Sequence, residues 1–136
     1  MDWSNNEFID NIGSYIYKVH IDGQYFVNFA DADAKQVPSP GVVYTYGETL
    51  KDDAMKGFAA YVLHLRNVDN YLIGSLLGNG LHELYLQMKT FPEIKAIVPK
   101  APQPLESWLP ELQVLTLRSK SPPKGLFLGA KAGTNG

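Results

Sequence analysis

Leu112-Gln-Val-Leu-Thr-Leu-Arg118, then Pro122-Pro123, then Gly125-Leu-Phe-Leu-Gly-Ala-Lys131 is the stretch that decides how this 136-residue chain is read, and only Ala132-Gly-Thr-Asn-Gly136 follows it. Two apolar, strand-like runs around a short proline turn predict a β-hairpin. An isolated hairpin is marginal in water, so further strands are expected from a continuation of the gene product or from another molecule. The expectation is therefore a fragment whose unpaired β edges invite self-association.

Upstream of the hairpin the pattern is helical. Ser4 and Glu7 have capping-box spacing, and Phe8, Ile12, Tyr15, Ile16 and Val19 recur at three- and four-residue steps, which predicts a helix over 5–20. Asp22-Gly23 breaks that period, and Gln24-Tyr-Phe-Val-Asn-Phe29 reads as a short strand or extended loop. Pro38, Pro40 and Gly41 keep the next segment loop-like. A second helix follows, with Thr49 as N-cap, Asp52 and Asp53 in its first turn, and Met55, Phe58, Ala59, Val62 and Leu65 on its inner face. Asp69–Leu77 and Leu81–Met88 read as two shorter helices, the latter with Leu81, Leu84, Tyr85 and Met88 on one side. Prolines 92, 99, 102, 104 and 110 predict an extended linker, with Trp108 anchoring it to a surface. The expected organisation is a helical part over 1–91, a linker over 92–110 and the start of a sheet domain over 111–136. The fold class is mainly α with a C-terminal β-hairpin.

Composition narrows the partners. Twelve basic against fourteen acidic residues, interspersed, give no long-range attraction for nucleic acid or an anionic membrane. The longest greasy run, Tyr71-Leu-Ile-Gly-Ser-Leu-Leu77, is far short of the ~20 residues that cross a bilayer. The N-terminus lacks the basic and apolar regions of a secretory signal. The absence of cysteine removes disulfides and thiolate metal sites and leaves the compartment open. With 45% hydrophobic residues the chain could bury roughly two thirds of its unfolded surface in one core.

Local motifs for catalysis are few. His20, His64 and His82 are not spaced with one another or with carboxylates as metal ligands, and their ordinary place is at helix ends or on the surface. No Gly-x-Ser-x-Gly elbow or phosphate-binding loop is present. Asp31 and Asp33 alternate as at the start of a calcium loop, without the glycine and distal glutamate such a loop needs. Two readings stand for this region. In one the aspartates cap turns. In the other Tyr25, Asn28, Asp31, Asp33 and Lys35, beside Phe26, line a sugar cleft, because an aromatic face with amide, carboxylate and ammonium groups suits a polar ring.

The string Tyr15-Ile-Tyr-Lys18, the segment Tyr25-Phe-Val-Asn-Phe-Ala-Asp-Ala-Asp-Ala-Lys35, and above all Trp108-Leu-Pro-Glu-Leu-Gln-Val-Leu115 running into Lys124-Gly-Leu-Phe-Leu-Gly-Ala-Lys-Ala-Gly-Thr-Asn-Gly136 resemble the heparinase II/III-like polysaccharide lyases. The resemblance covers nearly the whole chain and is most specific in the tail. It implies the last helices of an α/α toroid, a linker and the first strands of an antiparallel β-sandwich. It also implies β-elimination from uronic-acid polysaccharide of the glycosaminoglycan type, in a periplasmic or secreted protein. The family's catalytic Asn, His and Tyr residues precede the region represented here. Its β-domain histidine, and any divalent metal, belong to a motif expected just after Gly136. No catalytic or metal-binding residue is therefore carried onto this chain, no cofactor is expected in it, and the expected partner is an acidic polysaccharide or oligosaccharide. The chain is expected to be inactive alone. The alternative is a non-catalytic carbohydrate-binding or oligomerising helical module.

Overall fold

A computed structural model describes residues 7–29, 31–66, 81–120 and 125–133. The described elements are α1 (Glu7–Lys18), β1 (His20–Asp22), β2 (Tyr25–Phe26), α2 (Pro40–Leu50), α3 (Asp53–Leu65), α4 (Leu81–Ala96), β3 (Glu106–Leu109), β4 (Val114–Arg118) and β5 (Phe127–Lys131). The chain divides into two compact units, one of Met1–Gly13 with Val37–Pro102 and one of Ser14–Gln36 with Gln103–Gly136, the division falling inside α1.

The first unit is helical. Pro40 opens α2 with its φ already suited to a first turn, and Lys51 closes it in the left-handed region at φ 57°. Asp52 then caps α3, its side chain accepting the Met55 N–H at 3.1 Å. The two-residue joint makes an αα-hairpin, tightened by Asp52 N–H donating to Gly47 O at 2.8 Å. Lys56 ties both helices together through Glu48 at 3.2 Å and Asp53 at 2.6 Å. Met55, Phe58, Ala59, Ala60, Val62 and Leu63 of α3 are buried. Ala60, Leu63 and Ile94 of α4 form a core against which Tyr44, Phe91 and Ile97 pack. Gly41 lets α2 approach the α4 backbone, since a Cβ there would lie 3.2 Å from Thr90 Oγ1 and 3.5 Å from Gln87 N.

Several expectations are corrected here. The segment after Pro38 is helix α2, not an extended loop, because packing at Gly41 outweighs the β-prone Val42-Val43-Tyr44 run. The N-cap of the next helix is Asp52, not Thr49, whose hydroxyl donates to Thr45 O within α2. Helix α4 runs through Pro92 to Ala96, so the start of the expected linker is helical. Its apolar residues Leu81, Tyr85 and Met88 are exposed, while Gln87, Thr90 and Ile94 are buried. Phe8 and Ile12 of α1 are exposed whereas Val19, just beyond its end, is buried; Phe58 and Val62 of α3 are fully buried. The helix read over Asp69–Leu77 lies outside the described residues.

The second unit is built on antiparallel sheet. The expected hairpin is present, with β4 pairing β5 through Val114↔Lys131, Thr116↔Gly129 and Arg118↔Phe127. It gains a third strand, because Glu106–Leu109 pairs with β4 through Ser107↔Thr116 and Leu109↔Val114. Trp108 is therefore a strand residue. A second, two-stranded sheet joins β1 and β2 around Gly23, which sits at φ 54°. Alternation assigns the two faces of the larger sheet. Ser107, Leu109, Val114, Thr116 and Arg118 are buried. The opposite face carries Trp108, Leu117 and Leu128, all exposed. The architecture of the described residues is helices with two small antiparallel sheets.

Candidate functional site

The five sequence-derived sugar-site residues sit on one looped ribbon of the second unit. Phe26 N–H donates to Ala34 O at 2.8 Å, Gln36 N–H donates to Gln24 O at 2.8 Å, and Tyr25 bridges Lys35 in antiparallel register. Directly opposed residues share a face. Tyr25 and Lys35 are thus side by side and exposed, while the next residue, Phe26, turns inward and is buried. The loop between them is held from within. Asn28 Nδ2 donates to Ala32 O at 3.0 Å, and Gln36 Nε2 donates to Asp33 O at 3.3 Å. Asn28 is a loop brace, and Asp31 and Asp33 are exposed on the turn. The ribbon therefore brings Tyr25 and Lys35 together as a small open surface. It offers an aromatic face beside an ammonium group, suited to stacking and hydrogen bonding with a polar ring.

A second constellation lies at the base of the ribbon, and sequence reading missed it. Arg118 is only 8% exposed. Its Nη1 donates to Ile21 O at 2.9 Å and its Nη2 to His20 O at 2.7 Å, while the guanidinium lies 4.8 Å from the Phe127 ring centroid. Thr116 Oγ1 donates to Lys18 O at 3.1 Å, so β4 clamps successive carbonyls at the end of α1 and in β1. Burial pushes the Arg118 pKa down, partly offset by Asp22. The group still stays a cation. Its position was accessible from the alternation, since Val114, Thr116 and Arg118 fall on one face of β4.

His20 belongs to this constellation rather than to a helix end. It is fully buried in β1, with Nε2 3.0 Å from Gly23 O and its ring 4.9 Å from that of Phe26. Burial lowers its pKa below the ordinary 6.5, the Gly23 carbonyl and Asp22 oppose that shift, and Arg118 reinforces it. His64 and His82 are exposed at the end of α3 and the start of α4. Among the described residues no group of three or more His, Cys, Asp or Glu side chains could hold a metal ion. No helix among them is long and apolar enough to cross a membrane.

Neither Tyr25 nor Lys35 lines either of two cavities among the described residues. One, of about 360 Å³, is an apolar groove between α1 and α2 lined by Ile9, Thr45, Tyr46, Thr49 and Leu50. The other, of about 90 Å³, is lined by Ile21, Asp22, Arg118, Lys120, Gly125, Leu126 and Phe127. No protein-family model matches the chain, and no curated protein matches it.

Proposed function

We propose that this chain forms part of a polysaccharide lyase that cleaves uronic-acid polysaccharide by β-elimination, contributing scaffold and substrate contacts rather than the reacting groups. In that reaction a neutralising group quenches the C5 carboxylate, a base removes the C5 proton and an acid protonates the departing glycosidic oxygen. The toroid and sandwich architecture, the glycosaminoglycan-like substrate and the extracytoplasmic location are parts of the same proposal. The observation that carries it is the outward face of the β3–β4–β5 sheet. Trp108, Leu117 and Leu128 expose there the kind of apolar surface that the inner face of a sandwich buries against a second sheet. The resemblance over Trp108–Leu115 and Lys124–Gly136, stretches that include residues of all three strands, supports the same reading.

The test is to express the full open reading frame containing this sequence and assay it against heparan, chondroitin and alginate chains. Absorbance from a new C4–C5 double bond supports the proposal, and inertness on all three removes it. The chain alone should be inactive. The second reading, a non-catalytic carbohydrate-binding module, is favoured by the exposed Tyr25–Lys35 pair. It calls for saturable oligosaccharide binding by the chain alone that Lys35→Ala abolishes.

A further inference from the structure

We propose that strand β5 is a docking edge for a second copy of this chain, the two β5 strands pairing antiparallel about a two-fold axis at Gly129. The contact goes beyond the lyase reading and does not depend on it. The larger sheet runs β3–β4–β5, so β4 is paired on both sides while β3 and β5 are its edges. Ser119 N–H donates to Leu126 O at 3.0 Å and Ala132 N–H donates to Gln113 O at 2.9 Å, so the residues flanking β5 bond toward β4. Antiparallel pairing alternates. Leu128 and Ala130 therefore also turn their N–H and C=O groups toward β4, and Phe127, Gly129 and Lys131 turn theirs outward. Among the described residues these outward groups have no hydrogen-bond partner. Gly129 is exposed, and because glycine has no side chain, that exposure belongs to the backbone. Val27 covers one face of Gly129, its methyl carbons 2.9 Å from where a Cβ would lie, which leaves the outer face and the edge open.

The two edges are guarded differently. Strand β3 is four residues long, lies between Pro104 and Pro110 and carries Glu106, all devices that keep an edge from recruiting strands. Strand β5 is five residues long, with no proline and with its one charge, Lys131, at the last position. Its sequence, Phe127-Leu-Gly-Ala-Lys131, complements itself when reversed, which selects a second copy as the occupant. Pairing about Gly129 sets Phe127 opposite Lys131 of the second copy and Leu128 opposite Ala130. Each ring then meets an ammonium group, and no like charges are opposed. In this register all three outward residues exchange both backbone bonds with the second copy, and within β5 any slipped register keeps fewer of them. The two sheets join into one, and a two-fold axis perpendicular to it keeps both outer faces on the same side. The exposed Leu117, Leu126 and Leu128 of the two copies then form a continuous apolar surface across the seam.

The experiment is sedimentation equilibrium of the chain from about 10 µM to about 1 mM, with a dissociation constant of about 0.1 mM expected for a small edge contact. Lys131→Pro removes an N–H that points out of the sheet and places a ring in the path of the second copy. It should give a monomer at every concentration with the sheet intact, because an edge proline whose nitrogen faces outward is tolerated. Lys131→Ala keeps the N–H and should still dimerise, weakened roughly fivefold by loss of the ring contacts. Circular dichroism checks the fold of both variants. In a mixture of isotopically labelled and unlabelled chains, the Leu128 α-proton should show a magnetisation contact to the Ala130 α-proton of the second copy, since such a pair brings the Cα atoms to about 4.5 Å. A monomer throughout the range, a dimer without the Leu128–Ala130 contact, or a dimer that persists in folded Lys131→Pro overturns the proposal. Equal loss in Lys131→Pro and Lys131→Ala also overturns it, because the backbone edge would then not be the contact.

Discussion

Replacing Arg118 with methionine tests whether the buried guanidinium locks the ribbon onto the sheet. Methionine keeps much of the aliphatic stem, so the change removes chiefly the charged head. Lost with it are the bonds to Ile21 O and His20 O, at 2.9 and 2.7 Å, and the contact with the Phe127 ring. Each bond from a charged donor contributes about 1.5–3 kcal/mol, and the cation–π contact about 0.5–1 kcal/mol or more. Against this, the variant no longer desolvates a cation, which returns part of the sum. The net loss should be about 2–4 kcal/mol, because two buried carbonyls are left without donors. The assay is urea unfolding followed by Trp108 fluorescence in a Trp3→Phe background, so that the only tryptophan lies in β3. With a slope of about 1–2 kcal/mol per molar for a small unit, the midpoint should fall by roughly 2 M. A stability within about 0.5 kcal/mol of the parent would refute the lock.

Other perturbations separate the remaining links. Burial holds the His20 pKa below 6.5, so the unfolded chain takes the proton first as pH falls. His20's contribution should be complete above about pH 6.5 and decline as pH drops through that value, levelling below the folded-state pKa; a His20→Gln variant should lose this slope in the Trp108 assay. Asp52→Ala should cost the first unit about 1 kcal/mol through loss of the cap on Met55 N–H, measured by thermal unfolding followed by circular dichroism. Gly47→Ala should also destabilise that unit despite alanine's better helix propensity. A Cβ there would meet Lys56 Cγ at 2.9 Å and the Asp52 carbonyl at 3.1 Å, and the backbone oxygen cannot swing aside. A rise in melting temperature for Gly47→Ala would contradict the close packing of α2 on α3.

The sequence showed most clearly the elements whose pattern is local. Helix α3 announces itself through an acidic first turn and the spacing of Met55, Phe58, Ala59 and Val62. Strands β4 and β5 do so by strand-forming runs on either side of the Pro122-Pro123 pair in the sequence. Elements that depend on partners were hidden. Helix α2 carries the β-prone Val42-Val43-Tyr44, and its helical state is supported by Gly41 meeting α4 from more than forty residues away in sequence. Strand β3 is four residues long in a proline-rich stretch, and only pairing with β4 defines it. In α4 the apolar residues Leu81, Tyr85 and Met88, read as lying on one side, are exposed, because Gln87 and Thr90 occupy the contact with α2. The Tyr25–Lys35 pairing needed a loop to close on itself, which residue types alone do not specify. The Arg118 cluster was the nearest miss. Its alternation with Thr116 and Val114 was visible, but the carbonyls it reaches lie almost a hundred residues earlier.

The most direct test of the central claim is to digest uronic-acid polysaccharide with the protein expressed from the full reading frame, in heavy-oxygen water, and to weigh the products. Elimination breaks the glycosidic bond without adding solvent oxygen. The account predicts unsaturated products lighter by one water than hydrolytic ones and free of heavy oxygen, with none formed by the chain alone. Products that carry the solvent oxygen, or no cleavage by the full protein, would contradict it.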